Sequence, residues 1–468
     1  MSKPFPAHTY LSGNFAPLSF EADAHDLPVQ GSLPRELNGT LYRNGPNPQY
    51  APRGFYHWFA GDGMLHAFQL ENGRASYRNR FVRTPKWQFE NQAGQAMFGA
   101  FGNPMESDPS AIGKDTGLAN TNVVWHAGKL LALEEAHKPF AVDPVSLEPR
   151  GYDDYQGKLT APMTAHPKID PETGEMVCFA YAADGRFSPG MAYYTVDKTG
   201  ALTQFDRFQA PYAAMVHDFL VTRDFVLFPI MPLTGSLERA MTGKPAYAWE
   251  PDKGSHIGVL RRGAPIETMR WFKGDPRYVF HPMNAWNEGN KIMADVMEYE
   301  VAPLFPNPDG SMPKSARRTA RLARWTFDLD SNSDSFAHQD LDDLAGEFPR
   351  LDERYAGLKY RHGYFAAGSE ENLSVGFDTL AHIDLQSGKR QTFKAGGGDA
   401  FSEPVFVPRA ADAPEGEGWL LSVVWREADK RSDLLVFDAP NLAAGPIATV
   451  QLAHRVPFGF HGNWRQAA

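Results

Sequence analysis

The stretch MVHDFLVTRDFVLFPIM, residues 215–231, places two apolar runs on either side of Thr222-Arg223-Asp224. Short runs rich in Val, Leu, Ile and Phe, hinged on polar turn residues, predict an antiparallel hairpin. The same pattern recurs outward in both directions. MLHAFQL and ASYRNRFVR flank Glu71-Asn72-Gly73, and NVVWH and KLLALEE flank Ala127-Gly128. MAYYTV and ALTQFDRF flank Asp197-Lys198-Thr199-Gly200, and YVFHPMNAW and KIMADVMEY flank Asn287-Glu288-Gly289-Asn290. LAHIDL and RQTFKA flank Gln386-Ser387-Gly388-Lys389. Helical periodicity is confined to SLERAMTG (236–243), ended by Gly243, and a short piece at LDDLAGEF (341–348).

An all-β chain follows. Hairpins spread along 468 residues need their edges protected, and radial repetition in a β-propeller does this. A double sandwich is the alternative architecture. No polar or low-complexity linker divides the chain, so a single domain, 1–468, is expected, with 306–318 and 409–418 as surface loops.

Composition removes several function classes. Lys and Arg number 46 against 56 Asp and Glu, a net charge of -10, and no basic patch suggests nucleic-acid binding. A single cysteine, Cys178, excludes a disulfide framework, a cysteine zinc site and an iron–sulfur cluster, and points to a reducing compartment. The opening MSKPFPAHTYLSGNF lacks the continuous apolar stretch of a signal peptide. The most apolar segments, 225–233 and 419–425, are too short to cross a bilayer, so a soluble, cytoplasmic protein is expected. Motifs for nucleotide, nicotinamide, lipase-type and zincin chemistry are absent, and no nucleotide, flavin or haem is expected.

Histidine is what remains. His166 in TAHPKID, His217 in MVHDFLV, His281 in VFHPMNAW and His461 in GFHGNW each adjoin apolar residues near a strand end. Four neutral imidazoles brought to one axis would suit iron, copper, zinc or nickel. Each could equally be a satisfied core or surface histidine.

ELNGTLYRNGPNPQY (36–50), HWFAGDGMLHAF (57–68), AHPKIDPETGEM (165–176), FHPMNAW (280–286), EFPRLDERY (347–355), EPVFVPR (403–409) and PFGFHGNW (457–464) closely resemble the carotenoid cleavage oxygenase family. The match runs in order along nearly the whole chain. Segments 117–133 and 219–240 look most like its bacterial branch of lignostilbene dioxygenases and isoeugenol-cleaving enzymes. The resemblance implies a seven-bladed β-propeller, capped on one face by loops and short helices. It implies one Fe(II) per chain and cleavage of a conjugated C=C bond by O2 to two carbonyl products. It also implies four iron ligands at His166, His217, His281 and His461, with Glu135, Glu347 and Glu403 behind them. A glutamate taking the distal N–H of a ligand imidazole fixes its tautomer and offsets the metal charge.

By the same resemblance Thr121 lies beside an open coordination position, and Phe59 and Phe305 line a substrate tunnel. Two departures stand out. The Tyr and Lys with which lignostilbene dioxygenases hold a phenol oxygen fall on Phe101 and Glu134, so hydroxyl reading is expected to weaken. Ala60 replaces the Asp usual in the HWFDGDGM motif. The partners implied are O2 and a small hydrophobic alkene, an aryl alkene first and an apocarotenoid second. Monomer and homodimer both remain open. A non-catalytic binding propeller would lack the metal, and a calcium-dependent propeller hydrolase would need carboxylates where this chain has imidazoles.

Overall fold

The computed structural model describes residues 3–103, 105–315, 319–368 and 376–467. Among them, seven antiparallel sheets of four or more strands and one two-stranded ribbon account for nearly all the regular structure. The chain divides into two compact units, Met1–Gln156 with Phe393–Ala468, and Gly157–Thr392.

The first unit holds three sheets. In one, Ala22–Ala24, Arg74–Phe81, Gly63–Glu71 and Gly39–Pro46 follow each other, and Gly462–Gln466 closes the edge. That closing strand pairs Leu41 with Trp464 and Arg43 with Gly462. A second sheet is closed in the same way, Val29–Gly31 pairing with Pro446–Gln451. Sheet edges are thus covered by strands distant in sequence, which removes the unpaired N–H and C=O rows that invite aggregation. The third sheet runs Asn122–His126, Lys129–Leu133, Phe140–Val142 and Pro149–Tyr152. Strand Arg74–Phe81 buries every second residue, the period-2 signature of a sheet with one face on the core. Leu41, Phe68, Trp419, Leu421, Leu434 and Val450 form part of the core it covers.

The second unit holds four sheets, beginning at Lys168–Ile169, Leu220–Val221, Tyr278–Glu288 and Gly346–Leu351, each continuing outward as a meander. Phe179, Tyr193, Phe219, Phe228 and Leu260 pack together within it. Phe228 is wholly buried, so Phe228→Ala should cost about 3–5 kcal/mol of unfolding free energy. Denaturant titration checks this, and a loss under about 1 kcal/mol would show that the cluster tolerates the cavity.

The hairpin turns stand where expected. Ala127 and Gly128 both take positive φ (48° and 77°), as a two-residue type I′ turn requires. Helix Leu237–Met241 starts on Ser236, whose side chain accepts from Arg239 N, and Gly243 follows it at φ 71°.

Three details differ from the sequence reading. Residues 341–348 form no helix: the Asp342 side chain takes Leu344 N into a turn, and Gly346–Leu351 is a strand. In the opening hairpin only Leu220–Val221 of the first run pairs, leaving His217 on irregular backbone. An unforeseen helix, Pro85–Ala93, begins at Thr84, whose side chain accepts from Trp87 N, and ends at Gly94. The 409–418 loop is as expected, as is 306–315; residues 316–318 lie outside the described residues. No helix among the described residues is long and apolar enough to cross a membrane.

Candidate metal centre

Three of the four histidines gather in the second unit. His166 lies two residues before Lys168–Ile169, His217 three before Leu220–Val221, and His281 inside Tyr278–Glu288 where the register shifts. A bulge of this kind re-aims a side chain out of the ladder. The Nε2 atoms of His166 and His217 are 3.0 Å apart, and those of His217 and His281 are 3.1 Å apart. Ring centroids stand 4.6, 5.1 and 4.9 Å from one another. Phe280 meets the His217 ring edge-on at 5.2 Å, and Phe348 stacks on His281 at 5.4 Å. These contacts hold the imidazoles in an apolar collar.

His281 Nδ1 is 2.5 Å from Glu347 Oε2, which also accepts from Phe348 N at 2.6 Å. With the proton of His281 on Nδ1, its Nε2 presents a lone pair to the cluster. Three ring nitrogens facing one another cannot all be satisfied by the protons available, whereas a cation among them would satisfy all three. The donor set therefore fits a borderline transition metal, and these nitrogens are not the oxygen-rich set that a calcium site needs. The Glu347 charge, after burial, holds the neighbouring Tyr299 hydroxyl protonated.

In the first unit, His461 stands directly before Gly462–Gln466. Its Nδ1 is 2.9 Å from Glu403 Oε1, while Glu403 Oε2 accepts from Gly462 N at 2.8 Å. The backbone N–H of His461 donates to Thr121 O at 3.2 Å, tying the ligand candidate to Thr121. Glu347 and Glu403 each thus stand at the Nδ1 of one of the four histidines. Glu135 is half-buried just beyond Lys129–Leu133.

Sequence reasoning missed two supports. Arg43 is buried and donates to Glu403 O at 3.2 Å and Phe460 O at 3.0 Å, clamping the backbone on both sides of the His461–Glu403 pair. Asp218 is buried beside His166, its Oδ2 3.8 Å from His166 Nδ1, and pairs with Lys168 Nζ at 2.8 Å. Burial pushes the Asp218 carboxyl up despite Lys168. The order His-Asp in 217–218 and Lys at 168 was visible, but nothing in the spacing joins them.

The remaining pocket candidates behave differently from one another. Phe59 stands 5.4 Å from Phe460 and 4.6 Å from His57. Phe305 is buried in the second unit. Phe101 is 49% exposed and holds a left-handed backbone, φ 53°. Glu134 is occupied: its Oε1 accepts from Leu118 N at 2.5 Å and Ala119 N at 3.1 Å and lies 3.1 Å from His137 Nδ1. Burial opposes its charge, yet His137 and the two amides outweigh that and hold the carboxyl below the usual range.

A family profile described as retinal pigment epithelial membrane protein (RPE65) matches residues 15–466. The chain belongs to this carotenoid oxygenase family. Among its members, isoeugenol monooxygenase of Pseudomonas putida is 42% identical over 465 residues, covering 97% of each chain. Lignostilbene-α,β-dioxygenase isozyme III of Sphingomonas paucimobilis is 38% identical over 485 residues, covering 99% of this chain and 98% of its own. The crystal structure of a lignostilbene dioxygenase from Pseudomonas brassicacearum covers 100% of both chains with a TM-score of 0.96 at 37% identity. The carotenoid oxygenase fold here is accordingly the seven-bladed β-propeller, and the double sandwich is set aside.

Proposed function

We propose that this protein cleaves the conjugated C=C bond of an aryl alkene, a stilbene or a phenylpropene, with O2 to give two carbonyl products. It is an alkene-cleaving dioxygenase of the carotenoid oxygenase family, acting through one ferrous ion held by His166, His217, His281 and His461. The observation that carries this reading is the imidazole cluster with Glu347 on the distal nitrogen of His281. A purely binding propeller has no use for nitrogens set to hold a cation. The aryl alkene comes first because the relatives at 38–42% identity are named for such substrates. An apocarotenoid is the second reading, favoured by the 28% identity to a Synechocystis apocarotenoid oxygenase.

Bound iron supplies the oxygen-activating chemistry; the protein supplies position. Glu347 and Glu403 fix their imidazoles with Nδ1 protonated, and in this reading Glu135 serves a third. Phe280 and Phe348 exclude water around the ligand rings. Thr121 borders His461, where a threonine methyl limits the site to small molecules such as O2. Phe59 and Phe305 line the path of the alkene, and residues 1–468 act as one functional domain. The single buried cysteine fits a reducing cytoplasm.

The test is metal analysis of the purified protein, paired with a screen of stilbenes, phenylpropenes and apocarotenals under air. About one iron per chain and cleavage of aryl alkenes support the reading; cleavage of apocarotenals alone moves the substrate to the second class. Splitting C=C with one O2 to two carbonyls is balanced in atoms and electrons, so no reductant is required. Under ¹⁸O₂ at short times both products should therefore carry label. Label confined to one product would instead support the stoichiometry in the name of the Pseudomonas putida relative.

A further inference from the structure

A small cleft, partly open to solvent, lies wholly within the first unit. Its walls include Phe55, Phe98 and Phe101, and its polar side is made by Tyr56, Asp62 and Lys86. Lys86 is buried and held at 2.7 Å by both Asp62 Oδ1 and Glu90 Oε2. Two of its three protons are thereby used, and Glu90 is anchored further by Met97 N and Phe98 N. Arg53 also lines the cleft, so its two cations and two carboxylates balance, and the Lys86 ammonium is already committed to Asp62 and Glu90.

Tyr56 is the unspent group. It is 6% exposed, and its hydroxyl makes no hydrogen bond among the described residues. Burial, reinforced by the Asp62 charge, keeps that hydroxyl protonated, so it can only gain by donating to an acceptor. A row of rings leads from this cleft toward His461. Phe101 is 5.5 Å from His57, His57 is 4.6 Å from Phe59, and Phe59 is 5.4 Å from Phe460, the residue before His461. Asn120 Nδ2 donates to the carbonyls of Phe59 and Gly61 at 2.8 and 2.7 Å, fixing the turn that carries this row. Phe101 reaches the wall only through its left-handed backbone, a conformation costly for a residue with a side chain.

The geometry points to this cleft as the seat of the oxygen-bearing aryl end of the substrate, with the Tyr56 hydroxyl donating to a neutral ring hydroxyl or methoxyl oxygen. This rests on the aryl-alkene reading and deepens it. It moves oxygen recognition away from position 134, where the carboxylate is committed to Leu118 and Ala119, and onto Tyr56. Because a methoxyl oxygen accepts as well as a hydroxyl does, the site tolerates O-methylation, whereas it discriminates against a ring without oxygen.

Dissociation constants of the iron-loaded enzyme, measured without O2, decide the matter with three probes: trans-stilbene, 4-hydroxystilbene and 4-methoxystilbene. Tyr56→Phe should weaken binding of the two oxygenated probes about five- to tenfold, the value of one hydrogen bond, and leave trans-stilbene within about twofold. Its melting temperature should match the wild type, since the deleted hydroxyl has no protein partner. Ala60→Leu, which fills the cleft, should weaken all three probes. An equal change for all three probes in Tyr56→Phe, no change at all, or unaltered binding in Ala60→Leu overturns the assignment. Turnover under air is read separately. Aryl alkenes cleaved without a Tyr56 effect would overturn the subsite alone, and no cleavage of any aryl alkene would overturn the reading it rests on.

Discussion

His281→Ala should empty the centre of metal and bring alkene cleavage below detection. The His281 ring is one of three whose nitrogens face one another, and its distal nitrogen is the proton donor to buried Glu347. Removing it deletes a candidate ligand and takes from a buried carboxylate its imidazole partner, leaving Phe348 N and the Tyr299 hydroxyl as neutral donors. A buried charge that loses a partner in this way weakens the site further. His461→Ala should act in the same way, through loss of the group that Glu403 orients. The check is iron content and cleavage rate on the same preparation. His382→Ala serves as the control. His382 is also buried and contacts another histidine, His362 at 2.9 Å, but lies outside the cluster, so its loss should leave iron content unchanged. Full activity with normal iron in either ligand variant would refute the assignment.

Glu347→Gln and Glu403→Gln should each lower metal affinity or activity about 10–100-fold, the usual effect of losing a carboxylate behind a ligand histidine. The amide keeps the shape and can still accept from Nδ1–H, but it no longer offsets the metal charge. Glu403→Gln carries an additional demand. Glu403 serves both His461 and Gly462 N, so an amide must satisfy both with a single oxygen. Metal titration with a chelator, alongside kcat, separates weakened holding from altered chemistry. Unchanged affinity and rate in both variants would mean that neither carboxylate supports the metal.

The hairpins were legible because their turns are governed locally. Gly73, Gly128 and Gly200 take positive φ, a conformation that glycine adopts at little cost, and flanking runs show period-2 burial. Helix Pro85–Ala93 went unread, because its weak apolar face gave no periodic signal, although Thr84-Pro85 before it and Gly94 after it mark its ends. At 341–348 the leucine spacing resembled a helix, and a two-residue Asp turn decided otherwise. Pairing of Gly462–Gln466 with Gly39–Pro46 left no mark on either segment, because a strand edge accepts any partner of suitable pattern. The four histidines stood out only by repeated local setting, and it was the resemblance that singled them out from the other eleven of the 15. Arg43, Lys168 and Asp218 could not be found in this way. Their roles depend on backbone carbonyls and a side-chain pair that tertiary structure alone brings within reach.

The pairing that closes the first sheet bears on biogenesis. Arg43 and Phe460, joined by a hydrogen bond, are 417 positions apart, and His461 is fixed in place by that same seam. Contacts of such long range are made late, since a large loop must close before they return any stability. While the chain is still being made, His166, His217 and His281 can already be folded into their unit, exposed to whatever cation the cell offers. His461 takes its position only after residues 461–466 have settled beside Gly39–Pro46. In the proposed centre, metal choice would therefore be exposed to the cell's ion pool during synthesis. Rapid overproduction in iron-poor medium should give chains that are folded but carry the wrong ion, and slower synthesis with iron supplied should correct it.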